Sequence, residues 1–136
     1  MKYTIKSLIL FFYLSTIQSQ NIECIDVYYI KRDVSFTIQI NCENIKTDLF
    51  KHYSFNDKIM KNELTRNIDS FIKKSSEVKN NFDDQIKFNL KVFYSDETTE
   101  ELCISESGGF LLNNLFIGFN LDLAEKIKNS VNYYRN

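Results

Sequence analysis

Residues 86–94 read IKFNLKVFY, and this stretch decides the fold class. The apolar side chains at every second position are Ile86, Phe88, Leu90, Val92 and Tyr94. An alternation of this length predicts a β-strand with one buried face. Residues 95–98 are polar and predict a turn, after which Leu102 and Ile104 continue the alternation. We therefore expect an antiparallel hairpin in this part of the chain.

Downstream of this hairpin the sequence predicts a second hairpin and then a helix. The Gly108-Gly109 pair interrupts the strand pattern, and residues 110–119 read FLLNNLFIGF. Asn113-Asn114 tolerates the positive φ angles of a type I′ turn, which predicts a two-residue hairpin loop. Asn120 is a candidate N-cap for a last helix. The apolar residues expected on one face of that helix are Leu123, Ala124, Ile127, Val131 and Tyr134.

Upstream, two strand-like runs meet at Arg32-Asp33. The second run, VSFTIQINC at residues 34–42, alternates between apolar and polar side chains, which predicts a hairpin across residues 22–42. In the first run we expect Ile25, Val27 and Tyr29 to point inward, because the opposite face carries Asp26. A short third strand is expected between residues 49 and 55.

The pattern then changes to that of a helix. Asn56-Asp57 is a favourable helix start, and the helix is expected to end near Ser76. The apolar stripe consists of Met60, Leu64, Ile68, Phe71 and Ile72. Together these elements predict an α+β domain, in which a largely antiparallel sheet built from hairpins is packed by one central and one C-terminal helix.

The first 19 residues have the pattern of a secretory signal peptide. Lys2 and Lys6 form a short positive region, residues 7–17 are mostly apolar, and Ser19 provides the small residue before a cleavage site. The apolar stretch is shorter than the roughly 20 residues that span a bilayer. We therefore expect residues 1–19 to be removed, residues 20–136 to form a single domain, and the protein to be exported to the periplasm or secreted without a stable membrane anchor.

The charge balance disfavours nucleic acid as a partner. When Lys2 and Lys6 leave with the signal peptide, 15 basic and 18 acidic residues remain, and the net charge changes from −1 to −3. Proteins that bind nucleic acid usually carry a basic surface, and binding to anionic lipid needs a basic cluster that this chain lacks. A second protein is the partner class that these observations favour.

The overall pattern resembles small exported bacterial proteins of unknown function. The matching stretches are IDVYYI at residues 25–30, LCISESGG at 102–109 and FLLNNLFIGFN at 110–120. The resemblance covers most of the chain after the signal peptide. It supports the α+β fold and implies no functional residues, because that group has no established activity.

Three cysteines raise the question of a disulfide, which is common in exported proteins. Pairing the first hairpin across a two-residue turn places Cys24 opposite Asn41 and points it away from Cys42. We therefore favour a Cys24–Cys103 disulfide or no bridge at all. A three-residue turn would instead place Cys24 opposite Cys42, and three unbridged thiols remain the other alternative.

No catalytic, cofactor or metal-binding motif occurs in the sequence. His52 is the only histidine, and three glutamates between residues 100 and 106 would disfavour a Cys103 thiolate next to it. A zinc site usually needs several His or Cys ligands, and no calcium-binding loop spacing is present. We expect no cofactor and no enzymatic activity. A small secreted hydrolase with a site assembled from scattered residues remains the alternative.

A surplus of aromatic residues favours a binding or interaction module. The hairpin 110–119 is apolar on both faces, which leaves Leu111 and Phe116 on the second face. The doublets Tyr28-Tyr29 and Tyr133-Tyr134 each force one ring outward. The candidate partner-binding residues are Leu111, Phe116, Tyr28 and Tyr133. Covering of the second face by the terminal helix is the alternative, and assembly through an edge strand is a third function to consider.

Overall fold

The computed structural model describes residues 20–135 and shows an α+β fold. The predicted signal peptide at residues 1–19 lies outside the described residues. The six strands are β1 (Ile22–Ile30), β2 (Ser54–Met60), β3 (Ile86–Tyr94), β4 (Thr99–Ser105), β5 (Gly109–Leu112) and β6 (Leu115–Phe119). The two α-helices are α1 (Glu63–Lys74) and α2 (Leu121–Ser130), and a 3₁₀ helix spans Asp48–Tyr53.

All six strands form one antiparallel sheet in the order β2-β1-β3-β4-β5-β6. The strand β3 lies inside the sheet, between β1 and β4. Its alternating residues Phe88, Leu90 and Val92 are fully buried, as predicted. The predicted fold class, a hairpin-built antiparallel sheet with one central and one C-terminal helix, is therefore confirmed.

Both helices pack on one face of the sheet, which we call the helical face. Ile68 and Ile72 of α1 and Leu123, Ala124 and Ile127 of α2 belong to a single buried cluster with the inward residues of the strands. Within β1 the inward residues are Ile25, Val27 and Tyr29, as predicted. The helical face therefore holds the main hydrophobic core.

Residues 31–53 cover part of the opposite face, which we call the loop face. Ile40, Ile45 and Phe50 from this segment are buried in a second, smaller cluster with Ile30 and Ile86. The segment contains no β-strand, and only the 3₁₀ helix near its end is regular. It therefore forms an irregular cover over part of the loop face, and we call residues 31–53 the lid.

The prediction of a strand at residues 34–42 was wrong. The antiparallel partner of β1 on that side is β2, with Tyr28 opposite Asn56, and β3 occupies the other edge of β1. No edge of β1 is left for residues 34–42. Ile40 is instead buried against the loop face, whereas Ile38 is exposed.

The predicted start of the central helix was also wrong. Residues 56–60 belong to β2, and Met60 is exposed on that strand rather than buried on a helix. The helix starts after Asn62, whose side chain accepts a hydrogen bond from the backbone N–H of Thr65, while Thr65 Oγ1 accepts one from the Asn62 backbone N–H. This reciprocal capping satisfies two otherwise unpaired amides and fixes the helix start.

The C-terminal hairpin agrees with the prediction except at one position. Asn113 and Asn114 have φ angles of 48° and 68°, as a type I′ turn requires, and Leu112 pairs with Leu115. A bulge follows, so that Phe110 pairs with Gly118. Asn120 caps α2 by accepting a hydrogen bond from the Leu123 backbone N–H at 3.0 Å.

Candidate functional site

Three of the four predicted binding residues lie in one row across the loop face. Successive pairings between the strands place Asn56, Tyr28, Asn89, Cys103, Leu111 and Phe116 side by side from β2 to β6. The side chains of such a row point to the same face of a sheet. The sheet therefore brings Tyr28, Leu111 and Phe116 onto one surface, although Tyr28 lies three strands away from Leu111.

Phe82 covers the Phe116 end of this row. The ring of Phe82 stacks on Phe116 with centroids 4.8 Å apart, and the centroid of Phe119 lies 5.2 Å from that of Phe116. We call Phe82, Phe116 and Phe119 the aromatic corner. Phe116 is only 7% exposed, whereas Phe119 is 58% exposed. The predicted exposure of Phe116 was wrong, because the segment between α1 and β3 covers its ring. The terminal helix, which was the alternative cover, packs on the helical face instead.

A backbone hydrogen bond and a glycine allow Phe82 to pack against the hairpin. The N–H of Val78 donates a hydrogen bond of 2.8 Å to the carbonyl of Phe116, which fixes the segment along β6. A Cβ atom at Gly109 would lie 2.4 Å from the Phe82 ring. Only glycine at this position leaves room for the ring. Gly109 therefore has a packing role that was not apparent in the sequence.

A cleft of about 240 Å³ opens beside the aromatic corner. Leu111, Ile86 and Phe82 form its apolar part, and the amide side chains that line it are Gln39, Asn41 and Asn114. Its only charged lining residues are Glu43 and Asp84. The cleft thus combines an apolar floor with a negative rim.

Asp84 keeps its negative charge at this rim. Burial by itself raises the pKa of the Asp84 carboxyl, but hydrogen bonds from Ser107 and Ser105 outweigh this effect and leave the pKa below its ordinary value. The Ser107 backbone N–H also donates to Asp84 Oδ2 at 3.2 Å, and the Ser107 hydroxyl donates to the same oxygen. The carboxylate is therefore held in place and ionised at neutral pH.

Tyr28 belongs to a different cavity of the loop face. This cavity measures about 660 Å³, and Asp26, Lys58 and Lys91 also line it. Tyr28 is half-buried and packs against the residues that the lid covers. It therefore shares a face with Leu111 and Phe116 but does not line the same cleft.

Tyr133 is not on the surface. It is only 1% exposed, and its ring centroid lies 5.0 Å from that of Phe88 on the helical face. The helix α2 ends at Ser130, and Asn132 adopts a positive φ of 59°, which turns the chain and changes the helical phase. The outward ring is that of Tyr134, so the assignment of Tyr133 as a surface residue was wrong.

The disulfide joins Cys42 to Cys103, and the predicted Cys24–Cys103 pair was wrong. The Cα atoms of Cys42 and Cys103 are 5.9 Å apart, which suits a disulfide. Cys24 pairs with Phe93 on β3, four residues from the Asn89 that pairs with Cys103. From strand rise and spacing, about 16 Å separates Cys24 from Cys103, too far for a bond.

The structure does not support a catalytic pair of Cys103 and His52. Cys103 is fully buried and bonded to Cys42, while His52 is exposed in the 3₁₀ helix. A disulfide sulfur carries no thiolate for attack.

The decisive residues that sequence reasoning missed are Phe82, Asp84 and Glu101. Phe82 stands alone in the polar run NNFDD, and an isolated aromatic in such a run was a usable signal for an anchor. Glu101 lies two residues before Cys103, on the same face of β4. Its side chain reaches the disulfide, as described below.

Comparisons with known proteins found no match for the chain among family models, curated proteins or solved structures. In residues 20–135, no helix is long and apolar enough to cross a membrane.

Proposed function

We propose that the protein is an exported, non-catalytic binding module that takes up a segment of another protein at the aromatic corner and the adjoining cleft. The observation that carries this proposal is Phe119. This residue is 58% exposed although its ring packs on the buried Phe116. Leu121, two residues later, is equally exposed, at 58%. Exposed apolar side chains backed by a rigid aromatic layer are typical of protein-binding sites.

The charges of the cleft indicate what kind of segment would bind. Glu43 and Asp84 supply two negative charges, and no basic residue lines this cleft. A partner segment with an apolar side chain followed by lysine or arginine would place its apolar part on Leu111 and Phe82 and its positive charge at the rim. Electrostatic complementarity of this kind favours association and selects against acidic segments.

The predicted export supports the same function. A disulfide between Cys42 and Cys103 suits an oxidising compartment such as the periplasm or the extracellular space. A domain of this size without a cofactor motif acts there most simply by binding.

The experiment compares Phe119→Ser with Leu49→Ser, because Leu49 is 59% exposed in the 3₁₀ helix of the lid. Binding is measured against a peptide array that varies apolar and basic positions, with acidic peptides included. We expect wild type and Leu49→Ser to bind apolar-basic peptides. Phe119→Ser should lose this binding and keep its melting temperature within a few degrees.

Equal binding by Phe119→Ser and wild type would contradict the proposal. A preference for acidic peptides would contradict the proposal that Glu43 and Asp84 bind the positive charge of the partner segment. Photo-crosslinking in the producing cell, with the reactive group at residue 119 or at residue 49, is the second test. A discrete adduct with another protein is expected only at residue 119.

Assembly through an edge strand is the second candidate. The strand β2 lies at the edge of the sheet, and no strand of the described residues pairs with its outer side. Its exposed residues Asn56 and Lys58 make that edge polar, which disfavours open-ended pairing. Sedimentation analysis separates the two candidates, because edge pairing predicts concentration-dependent self-association that Phe119→Ser leaves unchanged.

A further inference from the structure

Two sulfur atoms and a carboxylate meet on the loop face, beside the cleft that adjoins the aromatic corner. The Sγ atoms of Cys42 and Cys103 and a carboxylate oxygen of Glu101 all lie within 4.8 Å of one another. Glu101 Oε1 is 3.0 Å from Cys42 Sγ. In the disulfide neither sulfur carries a hydrogen, so the oxygen approaches the sulfur without a proton to share. The reduced protein would have a thiol hydrogen at this position.

Asn89 supplies a second, independent observation. Its side chain is completely buried, and its Nδ2 lies 3.4 Å from Cys103 Sγ and 3.8 Å from Cys42 Sγ. Its Oδ1 has no hydrogen-bond partner among the described residues. The structure places Nδ2 toward the two sulfurs and Oδ1 away from them. A half-turn of the amide would exchange the two atoms, so that the oxygen could coordinate a cation and Nδ2 would take the position without a partner.

We propose that the reduced protein binds one Zn²⁺ ion through the thiolates of Cys42 and Cys103 and the carboxylate of Glu101. Thiolate and carboxylate oxygen are both common zinc ligands, and three protein ligands leave a fourth position for water or the Asn89 oxygen. A thiol reductant gives the disulfide two electrons and two protons and is itself oxidised to a disulfide, and zinc binding then releases the two thiol protons of the protein. This inference goes beyond the proposed function, although both use the same cleft.

The surroundings allow the required movement. Two sulfurs bound to one tetrahedral zinc ion at 2.3 Å are about 3.8 Å apart, so the sulfurs must separate when the disulfide is reduced. Cys103 is fixed within β4, whereas Cys42 belongs to the irregular lid. Cys42 also lines the cleft of about 240 Å³, which gives the ion an access route.

Zinc binding and disulfide formation exclude each other, because both use the same two sulfur atoms. A bound ion would keep the thiols reduced until it is removed. The pair would then act as a metal site in the reduced protein and as a cross-link in the oxidised protein.

The experiment uses the chain from residue 20 to residue 136. A phosphine reduces the disulfide and becomes a phosphine oxide with oxygen from water, and it is removed under nitrogen. Co²⁺ is then titrated as a coloured probe, followed by displacement with Zn²⁺. We expect one tetrahedral, thiolate-bound Co²⁺ per reduced chain, and no such absorption with the oxidised protein.

Three variants assign the ligands. Cys42→Ser should abolish the thiolate-to-cobalt absorption. Glu101→Gln removes a direct ligand and should weaken Zn²⁺ binding by at least about 10–100-fold, which is the typical loss when only an outer-shell partner of a metal ligand is removed. Cys24→Ser is the matched control and should bind like wild type, because Cys24 lies outside the disulfide.

Any of three results would overturn the proposal. The reduced protein could fail to bind the ion, the oxidised protein could bind it equally well, or Cys24→Ser could remove the binding. Near-ultraviolet circular dichroism monitors the fold throughout. A reduced protein that loses this signal, and does not regain it with Zn²⁺, also counts against the site.

Discussion

The helical face and the loop face of the sheet are buried by different means. On the helical face, two capped helices place apolar stripes on the strands and form one continuous core. On the loop face, residues 31–53 form an irregular lid that a disulfide ties to β4. Helices satisfy their own backbone hydrogen bonds, whereas an irregular segment depends on side chains and on the sheet to do so.

This difference shows in the hydrogen bonds of the lid. The Gln85 side chain accepts a hydrogen bond from the Ile40 backbone N–H and donates to the Ile38 carbonyl at 3.2 Å. Lys87 donates to the Val34 carbonyl at 2.6 Å. Side chains in β3 and just before it thus take over the role that helical hydrogen bonds have on the other face. The aromatic corner and the group of Cys42, Cys103 and Glu101 both belong to the loop face.

The largest expected effect compares Phe88 with Phe93, which point to opposite faces of β3. Phe88→Ala should lower the free energy of unfolding by about 3–5 kcal/mol, because it empties a fully buried site in the main core. Phe93 is half-buried on the loop face, and Phe93→Ala should cost about 1 kcal/mol. Urea unfolding measures both values. Equal losses would show that the two faces contribute alike.

Removal of the disulfide is expected to have the next largest effect. The bond joins residues separated by 61 positions, and replacing Cys42 and Cys103 by Ala should cost about 2–4 kcal/mol. Cys24→Ala is the control for the loss of a cysteine outside the bridge. Hydrogen exchange should increase in the lid and stay unchanged in α1. Faster exchange in α1 as well would mean that the two faces unfold as one unit.

A smaller effect should appear in acid. Because the pKa of Asp84 is lowered in the folded state, the carboxylate stabilises the fold above its unfolded pKa of about 3.9, and this contribution disappears as the pH falls through the folded pKa. The stability difference between wild type and Asp84→Asn should therefore be greatest above about pH 5 and should shrink toward about pH 2. Thermal unfolding at a series of pH values measures it. Asp83→Asn controls for the loss of one negative charge.

The smallest effect is expected in the uncovered part of the loop face. Lys58 Nζ lies 3.5 Å from Asp26 Oδ1, and both side chains are about half exposed. Lys58→Ala should change the free energy of unfolding by less than about 0.5 kcal/mol, and high salt should reduce the difference further. A change above 1 kcal/mol that is independent of salt would mean that this part of the face is covered more than the structure shows.

Predictions from the sequence succeeded where a local pattern and the tertiary packing agreed. The alternation in β3 and the Asn113-Asn114 turn are local signals that the structure confirms. Residues 34–42 carry an equally clear alternation, yet they form no strand, because β2 and β3 already occupy both edges of β1. A periodic pattern indicates that one side of a segment is buried, but it does not identify the element that packs against that side.

The candidate site was predictable only in part. Leu111 and Phe116 were placed on the second face of the hairpin from its register, and they do share the row on the loop face. Phe82 could not be assigned to that face, because it reaches Phe116 from a segment without secondary structure. Tyr133 was misplaced because the left-handed turn at Asn132 shifts the phase after the helix.

The sequence by itself determined the strand alternation of β3, the turn at Asn113-Asn114, the cap at Asn120 and the inward face of β1. These features depend on neighbouring residues, whose spacing and conformational preferences can be read directly. The tertiary structure alone decided that β2 pairs with β1, that Cys42 rather than Cys24 bonds to Cys103, and that Phe82 covers Phe116. Each of these contacts joins residues far apart in the chain. Several partners were compatible with each local pattern. Competition for sheet edges and buried space decides which of them forms the contact.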